Sequence, residues 1–285
     1  MAGDWSRYWR SPGRRLEAMH AHFERHAYHR HSHETYSFGV TDDGAQAFTC
    51  RGAGHTSTAG MVMAFNPEDP HDGKAADAFG FTYRMVHIGP ELVADVLTQS
   101  AGRRAAGRRA AGRRAGLPLF AEPVVHDPVL AAGLRRLHAA LLGGAPALLG
   151  DELLDAVVLA AVRRAAIGGP GQRRATAAPA ASAIARRVAE RLHDDYRTDL
   201  TADALAAVSG SSRFAVYRAF RAMYGMAPSD YQRQVRLRAA RRLLAGGAPI
   251  AEAASETGFA DQSHLTRWFV RSYGITPGTY RRGSP

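Results

Sequence analysis

The chain has 285 residues, a formal charge of +11 and 46% hydrophobic residues, which suggests about two domains with cores of their own and excludes a disordered chain. Its one cysteine, Cys50, excludes an internal disulfide framework and a cysteine-based zinc finger, and fits a reducing cytoplasm. No apolar run approaches the ~18 residues of a membrane span, and Met1 to Arg15 lack an apolar signal core, so the expectation is a cytoplasmic protein with no membrane partner.

From about Ala27 to Gly89 the pattern is β. Short runs rich in aromatic and β-branched residues end at turn signals: Tyr36 to Thr41 before Asp42-Asp43-Gly44, Ala47 to Arg51 before Gly52-Ala53-Gly54, Met61 to Phe65 before Asn66-Pro67, and Phe79 to His87 before Gly89-Pro90. This spacing predicts a small barrel or sandwich. Three Ala-Gly-Arg-Arg-Ala pentads then start at Ala101, Ala106 and Ala111. Period five matches neither helix nor strand, so a low-complexity insertion is expected. After Pro128, Leu130, Leu134, Leu137 and Leu141 mark one face of a helix, and Leu149, Leu153 and Val157 mark a second. Gly168 to Ala181 reads as a linker.

The last hundred residues hold an internal repeat. Ser212 to Tyr231 aligns with Asp261 to Tyr280, matching Arg218 with Arg267, Phe220 with Phe269, Tyr224-Gly225 with Tyr273-Gly274, Pro228 with Pro277, and Tyr231 with Tyr280. Each copy predicts helix, tight turn, helix. Gly210 and Gly258 supply the turns, Ser212 and Asp261 cap the second helices, and Leu205 and Val208 face inward in the first copy. A helix from about Ser229 to Ala245 joins the copies, with Tyr231, Val235, Ala239 and Leu243 on one face and Arg233, Arg236, Arg238, Arg241 and Arg242 mostly off it; another, Ala183 to Tyr196, leads in. From Ala181 onward sixteen arginines face nine acidic residues, so the basic excess belongs to this third of the chain. Two helix-turn-helix units on one rod suit successive major grooves of a duplex, ~34 Å apart. A pair of αα-hairpins forming an all-helical core is the alternative.

The segment from about Ile184 to Arg282 resembles the tandem helix-turn-helix domain of the arabinose-operon regulator family (AraC/XylS type), most closely in Gly258-Phe259-Ala260-Asp261-Gln262-Ser263-His264-Leu265-Thr266-Arg267-Trp268-Phe269 and in Gly274-Ile275-Thr276-Pro277-Gly278-Thr279-Tyr280-Arg281. The resemblance implies a transcription regulator, usually an activator, with double-stranded promoter DNA and RNA polymerase as partners. It places DNA contacts on Phe214, Tyr217 and Arg218 in the first unit, and on Gln262, Ser263, His264, Thr266 and Arg267 in the second. Arg pairs with guanine, Gln with adenine, and aromatics or Thr meet a thymine methyl. Arg218 and Arg267 recur in both units, which suits phosphate contact as well as base readout.

The front half is similar to the family's sensory domain, a cupin-like β-barrel followed by helices. The matching residues are His31-Ser32-His33 and Gly60, Pro67 and His71. In cupin enzymes such histidines bind a metal together with a glutamate. Here Glu34 follows His33 directly and falls on the opposite strand face, so a pocket for an unknown small-molecule effector, lined by His31, His33, His71 and Tyr83, is expected instead, with no metal and no cofactor. Met85 and His87 alternate with Tyr83 and either line the same cavity or pack the core.

The expected fold is α+β. A cupin-like effector barrel covers 16–90, the arginine-rich insertion 91–116, a helical coupling or dimerisation segment 117–168, a linker 169–183, and an all-α tandem helix-turn-helix domain 184–283. The leucine stripe serves either a homodimer or packing within the chain. No catalytic constellation is read. The alternatives are a metal-dependent cupin enzyme with a DNA-binding appendage, an alkylation-repair protein, which one cysteine cannot supply, and a nonspecific architectural protein.

Overall fold

The computed structural model describes residues 3–105, 117–167 and 179–283. One antiparallel sheet path runs β1 (Trp5–Arg10), β2 (Leu16–Phe23), β8 (Phe81–Ile88), β4 (Tyr36–Cys50), β6 (Val62–Phe65), β9 (Val124–Val125). The far half of β4 also pairs with β5 (Ala53–Thr58) and β7 (His71–Ala75), and β7 pairs with β3 (Tyr28–His31). The sheet is not closed into a barrel: among the described residues no strand pairs with the outer side of β1 or β9. The β1 edge is covered instead: the Arg10 N–H donates to the Gly283 carbonyl at 2.7 Å. Strands β1 and β2 lie ahead of the segment in which the sequence reads as β.

Asp42-Asp43-Gly44 is not a turn between strands. It is a bulge inside the fifteen-residue β4, where the register against β8 slips between Thr41 and Asp43. One extra residue exchanges the faces of the strand. Before it, Tyr36, Phe38 and Val40 face the helices of the front half; after it, Phe48 and Cys50 face the interior. The Asp42 carboxylate accepts from Arg84 Nε at 2.6 Å and Arg135 Nε at 2.8 Å, which ties the bulge to a neighbouring helix.

Helices α1 (Pro90–Ala105), α2 (Pro128–Leu142) and α3 (Ala147–Ile167) cover the outer face of the sheet. Helix α1 runs into the first pentad; the other two pentads, and 168–178 of the expected linker, lie outside the described residues. Leu130, Leu134, Leu137 and Leu141 are all buried against the sheet, so the stripe is core rather than a dimer face. The C-terminal helices are α4 (Pro179–Asp194), α5 (Ala202–Ser209), α6 (Arg213–Tyr224), α7 (Pro228–Ala245), α8 (Ile250–Glu256), α9 (Gln262–Tyr273) and α10 (Pro277–Arg282). Helix α4 begins four residues earlier than its sequence pattern suggests, at Pro179. Helices α4, α5 and α6 form a core of their own around Leu192, Val216 and Phe220. The later helices share one core with the inner sheet face, where Phe269, Tyr273 and Tyr280 meet Met63, Phe65 and Met85. Val208, expected to face inward, is 42% exposed, because the buried side of the short α5 is carried by Leu205 and Ser209. Among the described residues no helix is long and apolar enough to cross a membrane.

Two expectations follow from this packing. Gly44 has φ +69°, and a Cβ there would stand 2.1 Å from the Gly80 carbonyl oxygen, whereas Gly52 has φ +84° with open space around it. Gly52→Ala should therefore cost only ~1 kcal/mol of left-handed strain in urea unfolding, and Gly44→Ala clearly more. His138 Nε2 donates to the Met19 carbonyl at 3.0 Å, and burial, reinforced by Arg84, pushes its pKa down from 6.5 to about 4. The folded chain then binds fewer protons than the unfolded one between those values, so this contribution is complete above about pH 6.5 and is lost as pH falls towards 4. In His138→Asn the slope of stability against pH in that window should shrink by up to ~1.4 kcal/mol per pH unit.

Candidate functional site

The inner sheet face encloses a cavity with about 690 Å³ of atom-free space, counting its open mouth. Most of its lining is apolar, from Met19, Phe48, Met63, Phe65 and Met85, a size and character suited to a small ligand. One wall is not sheet at all. Arg241 of α7, Ser272 and Tyr273 of α9, Ile275 of the following turn and Tyr280 of α10 complete the enclosure.

Arg241 Nη2 donates to both Glu17 carboxylate oxygens, at 2.5 and 2.6 Å, and its guanidinium lies 4.8 Å from the ring centres of Tyr273 and Tyr280. Burial opposes the Arg241 charge, but the Glu17 carboxylate outweighs it and holds the pKa well above its ordinary value. The hydroxyls of Tyr8 and Tyr273 and the Arg241 Nε are buried without a hydrogen-bond partner of good geometry among the described residues. Donors left unsatisfied in an apolar cavity are expensive unless a ligand meets them.

Opposite stand the histidines. The structure brings His31, His33 and His71 into one cluster and places Tyr83 on the same cavity, its hydroxyl 2.6 Å from that of Tyr28. His31 Nδ1 lies 2.7 Å from the His29 carbonyl and His71 Nδ1 2.8 Å from the Asp69 carbonyl. A carbonyl only accepts, so both protons sit on Nδ1 and both Nε2 atoms carry lone pairs. His31 Nε2 is 3.1 Å from His33 Nε2, and the His71 ring lies flat on Phe65 at 4.1 Å. His87 packs 4.6 Å from His33, with its Nδ1 2.8 Å from Ser37 Oγ. Burial, then the neighbouring imidazoles, holds His31 and His33 well below their ordinary pKa; burial lowers His71 and takes His87 to about 4. All four rings are therefore neutral near pH 7. Glu34 lies at the surface beside Arg15, at 3.8 Å.

Helix α7 grips the His31-Ser32-His33 segment from outside. Gln234 Oε1 accepts from the Ser32 N–H at 3.1 Å, and its Nε2 donates to the Ser32 carbonyl at 2.7 Å, as a neighbouring strand would. Arg238 Nη2 donates to Ser32 Oγ at 3.0 Å and to Glu68 at 2.7 Å. Arg236, on another face, donates to the Tyr196 carbonyl and to Asp199. So three arginines that the charge count offers to a polyanion are spent inside the protein. Sequence reasoning missed Arg241, Glu17, Tyr8 and Tyr273 as cavity residues; the signal was a supposedly basic helix whose arginines follow no single face.

The helix pairs are built as their capping residues dictate. Ser212 Oγ accepts from the Ala215 N–H and Asp261 Oδ1 from the His264 N–H, while Gly210 and Gly258 turn at φ +63° and +79°. A Cβ at Gly258 would stand 2.3 Å from the Arg197 carbonyl oxygen, so only glycine fits there. On α6, Phe214 is 67% and Tyr217 43% exposed, and the Arg218 guanidinium stacks 4.7 Å above the Phe214 ring. On α9, Gln262, Ser263 and Arg267 are exposed and Thr266 is half-buried. His264 differs: its Nε2 accepts from Trp268 Nε1 at 3.0 Å, which holds the ring against the helix. Trp268 in turn lies under Arg233 at 3.6 Å and meets the edge of His29.

Comparison with known proteins finds a family match in each half of the chain. The family model of the AraC-like ligand binding domain matches residues 15–162, and that of a helix-turn-helix domain matches 205–283. The HTH-type transcriptional regulator YbfI of Bacillus subtilis (strain 168) is 26% identical over 235 residues, covering 82% of this chain and 80% of its own. The transcriptional activator NphR of a Rhodococcus species is 36% identical over 100 residues, covering 35% of this chain and 29% of its own. ToxT from Vibrio cholerae shares the fold, with a TM-score of 0.53, 10% identity and 99% of both chains covered. With a ligand-binding front half joined to two helix-turn-helix units, the chain belongs to the AraC family of transcriptional regulators.

Proposed function

We propose that this regulator is an activator that reads promoter DNA with α6 and α9 and is controlled by a small molecule held between the sheet and α7–α10. The observation that carries the reading is the shared cavity wall: Arg241 belongs to the helix that joins the two DNA units and Tyr273 to the reading helix of the second, yet both line the front-half pocket. A ligand there touches sensor and reader at once, so its affinity differs between the docked and undocked arrangements, which is what a switch requires. The apolar lining, the Arg241 cation and the neighbouring Tyr8 and Tyr273 hydroxyls suit an apolar molecule with an acceptor-bearing end. ToxT has been solved with an unsaturated fatty acid bound, a ligand of that general shape.

On DNA, Arg218 and Arg267 are assigned to guanine edges, Gln262 to adenine, Phe214, Tyr217 and Thr266 to thymine methyls, and Ser263 to a base or phosphate. His264, held by Trp268, shapes the second turn more than it reads. RNA polymerase is the partner an activator needs, and no reaction is assigned to the chain. With the leucine stripe spent on the sheet, a homodimer would rest on other surfaces.

DNA selected in vitro from random fragments supplies the operator for the test. Arg218→Ala and Arg267→Ala should each weaken specific binding by ~1–3 kcal/mol, relaxing base preference in different halves of the site. Unchanged footprints in both variants would show that other helices read the sequence. Glu17→Gln leaves Arg241 enclosed without its counter-charge and should cost ~3 kcal/mol of stability in urea unfolding, part of which Arg241→Met in the same chain restores.

A further inference from the structure

We infer that the floor of the cavity is a site for one divalent late first-row transition metal ion, of the Zn²⁺ or Co²⁺ class, held by His31, His33 and His71. The ligand nitrogens of these three side chains all lie within 4.8 Å of one another. Imidazole nitrogens on a tetrahedral ion with bonds of ~2.0–2.1 Å stand ~3.4 Å apart. The His31–His33 pair is already at 3.1 Å, so only His71 has to close in.

The outer contacts point the same way. The hydrogen bonds from His31 Nδ1 to the His29 carbonyl and from His71 Nδ1 to the Asp69 carbonyl leave the Nε2 lone pairs aimed at the cluster. A backbone or carboxylate acceptor behind the ring is the usual support of a metal-bound histidine. Phe65 fixes the plane of His71, and Gln234 fixes Ser32 between the other two, so the rings are held before any ion arrives. Three imidazoles with a fourth position open to the cavity form a complete set for such an ion, so the misplaced Glu34 is not needed. The fourth position faces the space an effector would occupy, and Tyr273 of α9 lies 6.2 Å from His33. The inference concerns the cavity floor alone and stands whether or not Arg241 holds an organic molecule.

The test uses the full chain, stripped with a chelator and titrated with Co²⁺ while its visible d–d absorption is followed. One Co²⁺ per chain is expected, with the intense bands of a four-coordinate ion, displaced by one equivalent of Zn²⁺. His31→Asn and His71→Asn should each weaken binding roughly a hundredfold or more, and surface His126→Asn should not. Thermal unfolding of the metal-free variants separates a lost ligand from a lost fold. Anomalous scattering from Co²⁺-soaked wild-type crystals locates the ion with no substitution at all. No saturable band up to millimolar Co²⁺, unchanged affinity in His71→Asn, or an anomalous peak away from the three rings would overturn the assignment. These readouts are independent of DNA binding, so failure here and failure of the promoter-reading assignment are distinguishable.

Discussion

The ion pair between Arg241 and Glu17 joins the two halves of the molecule. A guanidinium this enclosed is tolerable only with a carboxylate opposite it, and that carboxylate sits on β2, more than two hundred residues away in sequence. Around it, Gln234 and Arg238 bind the backbone and hydroxyl of Ser32, and Arg30 Nε donates to the Gly225 carbonyl at 2.7 Å. Such contacts are directional. They set the register of α7 on the sheet, while the shared apolar core around Phe269 and Met63 supplies most of the burial.

The two DNA units are therefore not equivalent. The first has its own core in α4–α6 and touches the sheet through few residues. The second is continuous with the sensor, and the end of its reading helix is part of the cavity. A ligand in the cavity would act directly on the second reader and reach the first through α7 and through the Arg30–Gly225 contact.

Local signals read well wherever the physics is local. Caps, glycine turns and the 3.6-residue stripe of α2 follow from a few neighbouring residues, and the structure places them where Ser212, Gly210, Asp261 and Leu130 suggest. The candidate histidines also converge: His31 and His33, two apart on extended chain at the end of β3, share a face, and the pairing of β7 with β3 sets His71 opposite His31. The misreadings are non-local. Asp42-Asp43-Gly44 has turn chemistry, yet pairing with β8 keeps the strand going and turns those residues into a bulge. The arginines of α7 look like a basic surface until Glu17, Glu68 and Asp199 arrive from elsewhere in the chain. The leucine stripe signals burial but not against what.

The shared wall also limits how this architecture can be rearranged over time. A front half exchanged for another sensor would lose one side of its own binding chamber, since Arg241, Tyr273 and Tyr280 would stay behind with the tail. Recombination that preserves function must cut elsewhere: the α4–α6 module, with its separate core, is the piece that can be traded, whereas α7–α10 must be inherited together with the strands they close.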